Sequence, residues 1–177
     1  RYLGACGCSQ LMPWVVRATE ETMTARFSDP GASVYDFADE FLVVCPKCSG
    51  CALVEKSATP VGLPRGICKA CGWSKTAETS SCAVQNDARD WYFRLPLWLR
   101  TRCCSEELWA RNAEHLAFLE AYVQASLRER PELDTTSFYY RNRGLASRLP
   151  AWMKSGKNRE AVTAALSRLR GLLRDAP

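Results

Sequence analysis

The chain has 177 residues, enough for one ordinary domain or two small ones. Hydrophobic residues make up 47% of it and charged residues 24%, a balance that excludes wholesale disorder and fibrous architectures. The formal net charge is +5. The longest uncharged run near the start, 2–16, is shorter than the roughly 20 apolar residues that span a bilayer. The sequence therefore predicts no transmembrane helix and no membrane partner.

Residues 1–38 show no sustained hydrophobic periodicity. Pro13 and the turn signal at 28–31 predict a leader that is poorly ordered or built of short elements. Because this stretch has no convincing signal-peptide cleavage site, we expect a cytoplasmic location and reduced thiols. Closely spaced cysteines in such a compartment indicate metal or catalytic sites before they indicate disulfides.

Residues 39–78 combine short apolar runs with four cysteines in two pairs of identical spacing. The runs 41–44 and 52–54 predict strands, and nineteen residues separate the pair Cys45/Cys48 from the pair Cys68/Cys71. Two residues between paired thiols allow one tight turn to direct both sulfurs at a single tetrahedral ion. The pattern predicts a structural Zn²⁺ site with these four ligands.

Several alternatives stay open at this level. Cys51 also lies three positions after Cys48 and could replace Cys45 as a ligand, and a redox C-x-x-C pair or iron–sulfur ligation would use the same residue types. A redox pair is disfavoured because 49–54 does not resemble a helix start. A possible second metal site would combine three further thiols with the single histidine of the chain, and its residues are Cys82, Cys103, Cys104 and His115.

Residues 79–111 are predicted to form a polar linker followed by a β-hairpin. Apolar residues alternate with others from 91 to 100, and Pro96 places such a strand at a sheet edge or breaks it. The face that carries Arg94, Trp98 and Arg100 interleaves an aromatic ring with arginines, a combination that stacks bases and neutralises phosphates. These three residues are therefore candidates for nucleic-acid binding.

Residues 112–177 are predicted to be helical and basic. Asn112 is a candidate N-cap for a first helix, Asn158 for the last, and apolar residues recur at helical spacing in both. Nine Lys or Arg and one acidic residue lie between 141 and 174, which indicates an anionic partner. Arg159, Arg170 and Arg174 fall on one flank of the last helix and are further candidates for nucleic-acid binding.

The segment from Cys45-Pro-Lys-Cys48 to Cys68-Lys-Ala-Cys71-Gly-Trp resembles a zinc ribbon of the transcription factor IIB type. The resemblance covers about thirty to forty residues and implies a three-stranded antiparallel module with two zinc knuckles, in which Cys45, Cys48, Cys68 and Cys71 are the ligands. It also implies contact with RNA polymerase or nucleic acid. The helical repeats of that factor would not fit into residues 112–177, so the chain is more similar to a small bacterial-type ribbon protein with a helical tail.

The expected fold class is α+β, with a small antiparallel zinc ribbon, a β-hairpin and a short helical region. The expected function is non-enzymatic: DNA or RNA binding, or a role within transcription or replication machinery, with Zn²⁺ as cofactor and no small-molecule substrate. The alternative is a protein–protein adaptor whose ribbon and amphipathic helices dock on a partner complex. No H-E-x-x-H, P-loop or G-x-S-x-G motif points to an enzyme.

Overall fold

A computed structural model of the chain describes residues 26–57, 62–80, 84–129 and 144–176. Its mixture of an antiparallel four-stranded sheet, two strand pairs and several helices confirms the predicted α+β class. No helix in these four ranges has both the length and the apolar character required to cross a bilayer.

The end of the predicted leader is packed structure. Strand β1 covers Arg26–Ser28, and a 3-10 helix covers Val34–Phe37, where Ser33 and Asp36 form a reciprocal capping box. The rings of Phe27 and Phe37 are buried against Phe118. Residues 26–38 are therefore short, packed elements rather than poorly ordered chain, because two buried aromatic rings outweigh the turn signals around them. Residues 1–25 lie outside the described residues.

The four-stranded sheet is an antiparallel meander in which the strand order follows the chain, one strand more than the ribbon resemblance implies. Its strands are β2 (Glu40–Val44), β3 (Cys51–Glu55), β4 (Arg65–Ile67) and β5 (Ser74–Thr76). Val44 pairs with Cys51, and Ile67 pairs with Ser74. Two six-residue turns, 45–50 and 68–73, therefore lie at the same end of the sheet.

The β2–β3 pair is buried on both faces. Along β2, Phe41 and Val43 enter one apolar cluster with Trp91 and Leu97, whereas Leu42 enters a second cluster built mainly from helices. Leu53 of β3 also packs against this second cluster. The sheet thus shares its core with residues on both sides of the predicted 39–78 ribbon, so the ribbon is part of a larger packed body.

The residues between 84 and 111 form a turn, a short edge pairing and a hairpin. The Asp90 carboxylate accepts N–H bonds from Tyr92, Phe93 and Leu95, and Arg94 adopts a positive φ of 58°. The prediction of a single strand over 91–100 is therefore wrong, because the Asp90 side chain holds the backbone in a turn. Residues 96–98 pair with the free edge of β2, and β6 (Arg100–Cys103) and β7 (Glu106–Trp109) form the hairpin.

The helices complete the core. They are α1 (Ala113–Gln124), α2 (Leu145–Arg148), α3 (Ala151–Lys154) and α4 (Arg159–Leu172). Two 3-10 turns cover Gly156–Asn158 and Leu173–Asp175. Strand β8 (Leu127–Glu129) follows α1 and pairs in parallel with β1. Asn112 caps α1 as predicted, since its side chain accepts from the N–H of His115 at 2.8 Å. Asn158 makes no such cap, and its amide donates instead to the Trp152 carbonyl. The buried side of α4 packs on α1 and β6.

Candidate metal centre

The two cysteine-bearing turns repeat one hydrogen-bond pattern. In the turn 45–50, the N–H of Cys45 donates to the carbonyl of Gly50, and the N–H of Ser49 donates to the carbonyl of Cys45. In the turn 68–73, the N–H of Cys68 donates to the carbonyl of Trp73, and the N–H of Gly72 donates to the carbonyl of Cys68. The donors and acceptors are separated by the same numbers of residues in both turns. Each turn is therefore a zinc-knuckle-like loop that presents two thiols from one compact backbone arrangement.

The fifth position of each turn adopts the left-handed backbone. Ser49 has φ 60° and Gly72 has φ 70°. Glycine meets no steric penalty in this region, whereas a residue with a Cβ does. The second turn therefore carries the residue that its geometry favours, and the first turn carries a strained serine. Ser49 lies four residues after Cys45, just as Gly72 lies four residues after Cys68, and this equal offset is the sequence signal for the shared backbone position.

The four predicted thiols converge. The Sγ atoms of Cys45, Cys48, Cys68 and Cys71 all lie within 4.8 Å of one another. The Cys45–Cys71 and Cys48–Cys68 sulfur pairs are each 3.6 Å apart. A tetrahedral ion with sulfur at about 2.3 Å requires an edge of about 3.8 Å between sulfurs, whereas a disulfide requires about 2.05 Å. The spacing fits four ligands of one metal ion and excludes disulfides between these pairs.

The thiols of the cluster differ in acidity. Burial raises the pKa of Cys45, but hydrogen bonds from the N–H groups of Cys48 and Lys47 outweigh it and lower this pKa to about 7. The N–H of Trp73 lowers the pKa of Cys71, but burial and the adjacent thiols outweigh it and raise it to about 12. A cluster without metal therefore retains protons at neutral pH, and binding of a divalent ion must displace them.

Basic residues surround the cluster. Lys47, Lys69 and Lys75 are exposed, and the Lys47 ammonium donates to the Cys71 carbonyl at 3.4 Å. Four thiolates around a divalent cation carry a charge of about −2, which these three cations offset. The charges of these lysines would thus help to balance the charge of a metal-loaded cluster.

Cys51 lies outside the cluster. It opens strand β3 opposite Val44, and its side chain is buried in the helical core. Its carbonyl accepts a long contact from the Cys68 thiol at 3.7 Å. Among the described residues, the metal-compatible group contains Cys45 and not Cys51, because the β pairing that closes the turn directs Cys51 away from the other sulfurs.

The possible second metal site is only partly described, since Cys82 lies outside the described residues. Cys103 and Cys104 have their sulfurs 3.5 Å apart, but no third ligand within the described ranges joins them. The ring of His115 stacks on Phe37 and contacts Trp109, and its Nδ1 accepts from the N–H of Arg111. The predicted grouping of His115 with the two thiols is not formed, because the imidazole is packed in the core.

A buried cation lies beside this histidine and was not anticipated from the sequence. The guanidinium of Arg111 lies between the rings of Trp91 and Trp109, 4.9 and 5.0 Å from their centroids. Burial lowers its pKa to about 10, despite the opposing effect of the Asp87 carboxylate. Burial, followed by the charge of Arg111, lowers the pKa of His115 to about 3, so the imidazole is neutral at physiological pH.

Five of the six residues predicted to bind nucleic acid have intramolecular partners. Four contacts link Arg94 with Asp87, Arg100 with Glu107, Arg170 with Glu120, and Arg159 with the Ala125 carbonyl. The Trp98 indole donates to the Leu172 carbonyl at 3.1 Å. Arg174 is exposed near the end of the described chain. The Trp98 contact places this indole beside the C-terminal end of α4.

Comparison of the chain with protein-family models, curated proteins and solved structures finds no match. The centre is therefore characterised by its own geometry, which is that of four cysteines able to hold one metal ion.

Proposed function

We propose that the cluster binds one Zn²⁺ and that the ion has a structural role. This proposal is supported by the convergence of Cys45, Cys48, Cys68 and Cys71 from two matching turns. Four protein thiolates complete a tetrahedral shell, whereas a catalytic zinc keeps one position for water or substrate. The same two turns support the transcription factor IIB-type resemblance and a non-enzymatic role.

Zinc binding is tested by elemental analysis of the purified protein and by replacement with Co²⁺. We expect a zinc-to-protein ratio near one and, for the cobalt form, the absorption bands of a tetrahedral tetrathiolate centre. Chelation should unfold the β2–β5 sheet, because binding free energy at such sites is folding free energy. A ratio near zero after purification in zinc, or an octahedral cobalt spectrum, would overturn the proposal.

We further propose that the protein binds nucleic acid through the basic rim of this centre, within transcription or replication machinery. Lys47 and Lys69 are exposed in the two turns, Lys75 is exposed on β5 with its ammonium 5.8 Å from the Phe93 ring centroid, and Trp73 is half-buried. A rigid sheet that presents cations next to an aromatic ring suits phosphate contacts and base stacking. Arg168 and Arg174 add exposed charge in the C-terminal region.

The metal-loaded protein provides the test, with fluorescent single-stranded DNA, single-stranded RNA and duplex DNA as probes. Each phosphate contact contributes about 0.7 to 0.9 to the slope of log K against log salt. Replacing Lys47, Lys69 and Lys75 together by Gln should therefore reduce the slope by about 2. The matched control is Lys56→Gln, since Lys56 follows the opposite end of β3 and pairs with Asp39 at 3.7 Å. Absence of binding to all three probes, or affinity independent of salt, would refute this role.

A second candidate is the adaptor role, which one apolar cavity favours. A cavity of about 380 Å³ is bounded by the hairpin, α1 and the α2–α3 segment, with Trp109, Leu119, Trp152 and Met153 in its lining. Apolar cavities of this size accommodate side chains of partners as well as small ligands. Stable co-purification of a protein that is lost on Trp152→Ala, together with no shift of any oligonucleotide, would favour this role.

A further inference from the structure

The β6–β7 hairpin closes with an unusual pair of residues. Cys103 pairs with Glu106, so the loop consists of Cys104 and Ser105 alone. Both loop residues have positive φ, 54° and 66°. Two-residue loops with this backbone strongly prefer Asn-Gly or Asp-Gly, because a Cβ is disfavoured in the left-handed region. Cys104 therefore holds a strained backbone conformation, although the turn does not require a thiol and this side chain is exposed rather than part of the core.

The two thiols of this hairpin are adjacent but unequal. Their sulfurs lie 3.5 Å apart, Cys104 is exposed, and Cys103 is buried in the helical core. Burial, assisted by the neighbouring thiol, raises the pKa of Cys103 to about 11. The exposed thiol is therefore the one available to an external reagent, and the buried one is held within reach of its sulfur.

We propose that Cys103 and Cys104 form a redox-modification site that closes reversibly to a vicinal disulfide on reaction with a small-molecule disulfide. The Cys104 thiolate attacks one sulfur of the reagent, forming a mixed disulfide and releasing one small thiol. The Cys103 sulfur, after losing its proton to solvent, attacks the Cys104 sulfur and expels the second small thiol. Two protein thiols are oxidised and one reagent disulfide is reduced to two thiols, so electrons and protons balance.

The local geometry makes this bond reversible. A disulfide between sequence neighbours closes an eight-membered ring that includes their peptide bond, and strained disulfides are more easily reduced. Closing the bond requires the two sulfurs to move from 3.5 Å to about 2.05 Å apart. The site shares no residue with the cluster of Cys45, Cys48, Cys68 and Cys71.

The test uses the full-length, zinc-loaded protein and oxidised glutathione. After exposure, free thiols are alkylated and the protein is digested with trypsin, which yields a peptide 103–111 containing both thiols and no other cysteine. We expect this peptide to be lighter by two hydrogens and unalkylated, and to become alkylated after treatment with a reductant. Its oxidised fraction should follow the ratio of oxidised to reduced glutathione.

Two variants distinguish closure from simple adduct formation. Cys103→Ser should stop at a glutathione adduct on Cys104. Cys104→Asn places a residue that tolerates the left-handed turn and should leave Cys103 reduced and unmodified. Full alkylation of the wild-type peptide after exposure, a persistent glutathione adduct in the wild type, or a bond from this peptide to another cysteine would each overturn the proposal.

Discussion

The substitution Gly72→Ala tests whether the knuckle backbone limits the stability of the metal centre. Gly72 has φ 70°, and a Cβ built on it meets no atom within 4 Å. The cost is therefore purely that of placing an alanine in the left-handed region, about 1–2 kcal/mol. For a chain of this size, such a loss lowers Tm by about 2–8 °C.

The first knuckle provides the reverse experiment. Ser49 occupies the equivalent position with φ 60°, so Ser49→Gly removes a similar penalty. The gain should stay below about 1 kcal/mol, because glycine also has greater freedom in the unfolded chain. The same backbone geometry thus predicts that Gly72→Ala lowers the free energy of unfolding and that Ser49→Gly raises it.

Denaturant unfolding of the zinc-loaded proteins, at fixed protein and zinc concentrations, is the measurement, since bound metal contributes to apparent stability. The control is Gly171→Ala, where α4 has an ordinary helical backbone with open space around the added Cβ. Alanine there should stabilise by about 0.5–1 kcal/mol. If Gly72→Ala stabilises as Gly171→Ala does, the inferred strain at the knuckle is refuted.

Three further perturbations follow from the packing. By elemental analysis, Cys48→Ser should lose tightly bound zinc, whereas Cys51→Ser should keep a zinc-to-protein ratio near one, because only Cys48 contributes a sulfur to the cluster. Equal loss of zinc in both variants would contradict the ligand assignment. The pKa of His115 is lowered to about 3 in the folded protein, whereas the pKa of histidine in the unfolded chain is near 6.5. As the pH falls below 6.5, the unfolded chain therefore binds a proton at this residue and the folded protein does not. The free energy of unfolding then decreases by up to about 1.4 kcal/mol per pH unit. His115→Gln should flatten the stability-against-pH curve between pH 6.5 and the onset of metal release, and an unchanged slope would show that the imidazole is not held neutral. Gly66→Ala places a Cβ 2.6 Å from the Trp73 ring and should cost about 1–3 kcal/mol of unfolding free energy, most of which should disappear in a Trp73→Leu background; an equal cost in both backgrounds would contradict this contact.

The repeat in the cysteine spacing made the metal-compatible cluster predictable. Ligand chemistry requires particular residue types at short separations, and the two C-x2-C pairs satisfy that requirement within single turns. The strands at 41–44 and 52–54 and the cap at Asn112 were predictable for the same reason, since periodicity and capping are local. Which of Cys45 and Cys51 joins the cluster depended on the register of β2 against β3, which residue spacing leaves open.

The surface assignments needed tertiary structure. An alternating pattern over 91–100 indicated a strand with an exposed Arg and Trp face, but the Asp90 carboxylate binds three backbone N–H groups and turns the chain. Arg159 and Arg170 occupy one flank of α4 as helical geometry requires, yet Arg170 is paired with Glu120 of α1. Whether a charged side chain is available to a partner depends on which distant residue meets it.

The amino-acid sequence by itself determined the two C-x2-C pairs and the α+β class, because metal-ligand spacing and hydrophobic periodicity depend on residues close together in the chain, whereas the choice of Cys45 over Cys51 required the register of β2 against β3. Only the tertiary structure decided that the β2–β3 pair is buried on both faces, that His115 is a core residue and that Cys103 and Cys104 stand together on a strained hairpin. Those outcomes depend on contacts between segments far apart in the chain, and their energies are set by packing that no local pattern records.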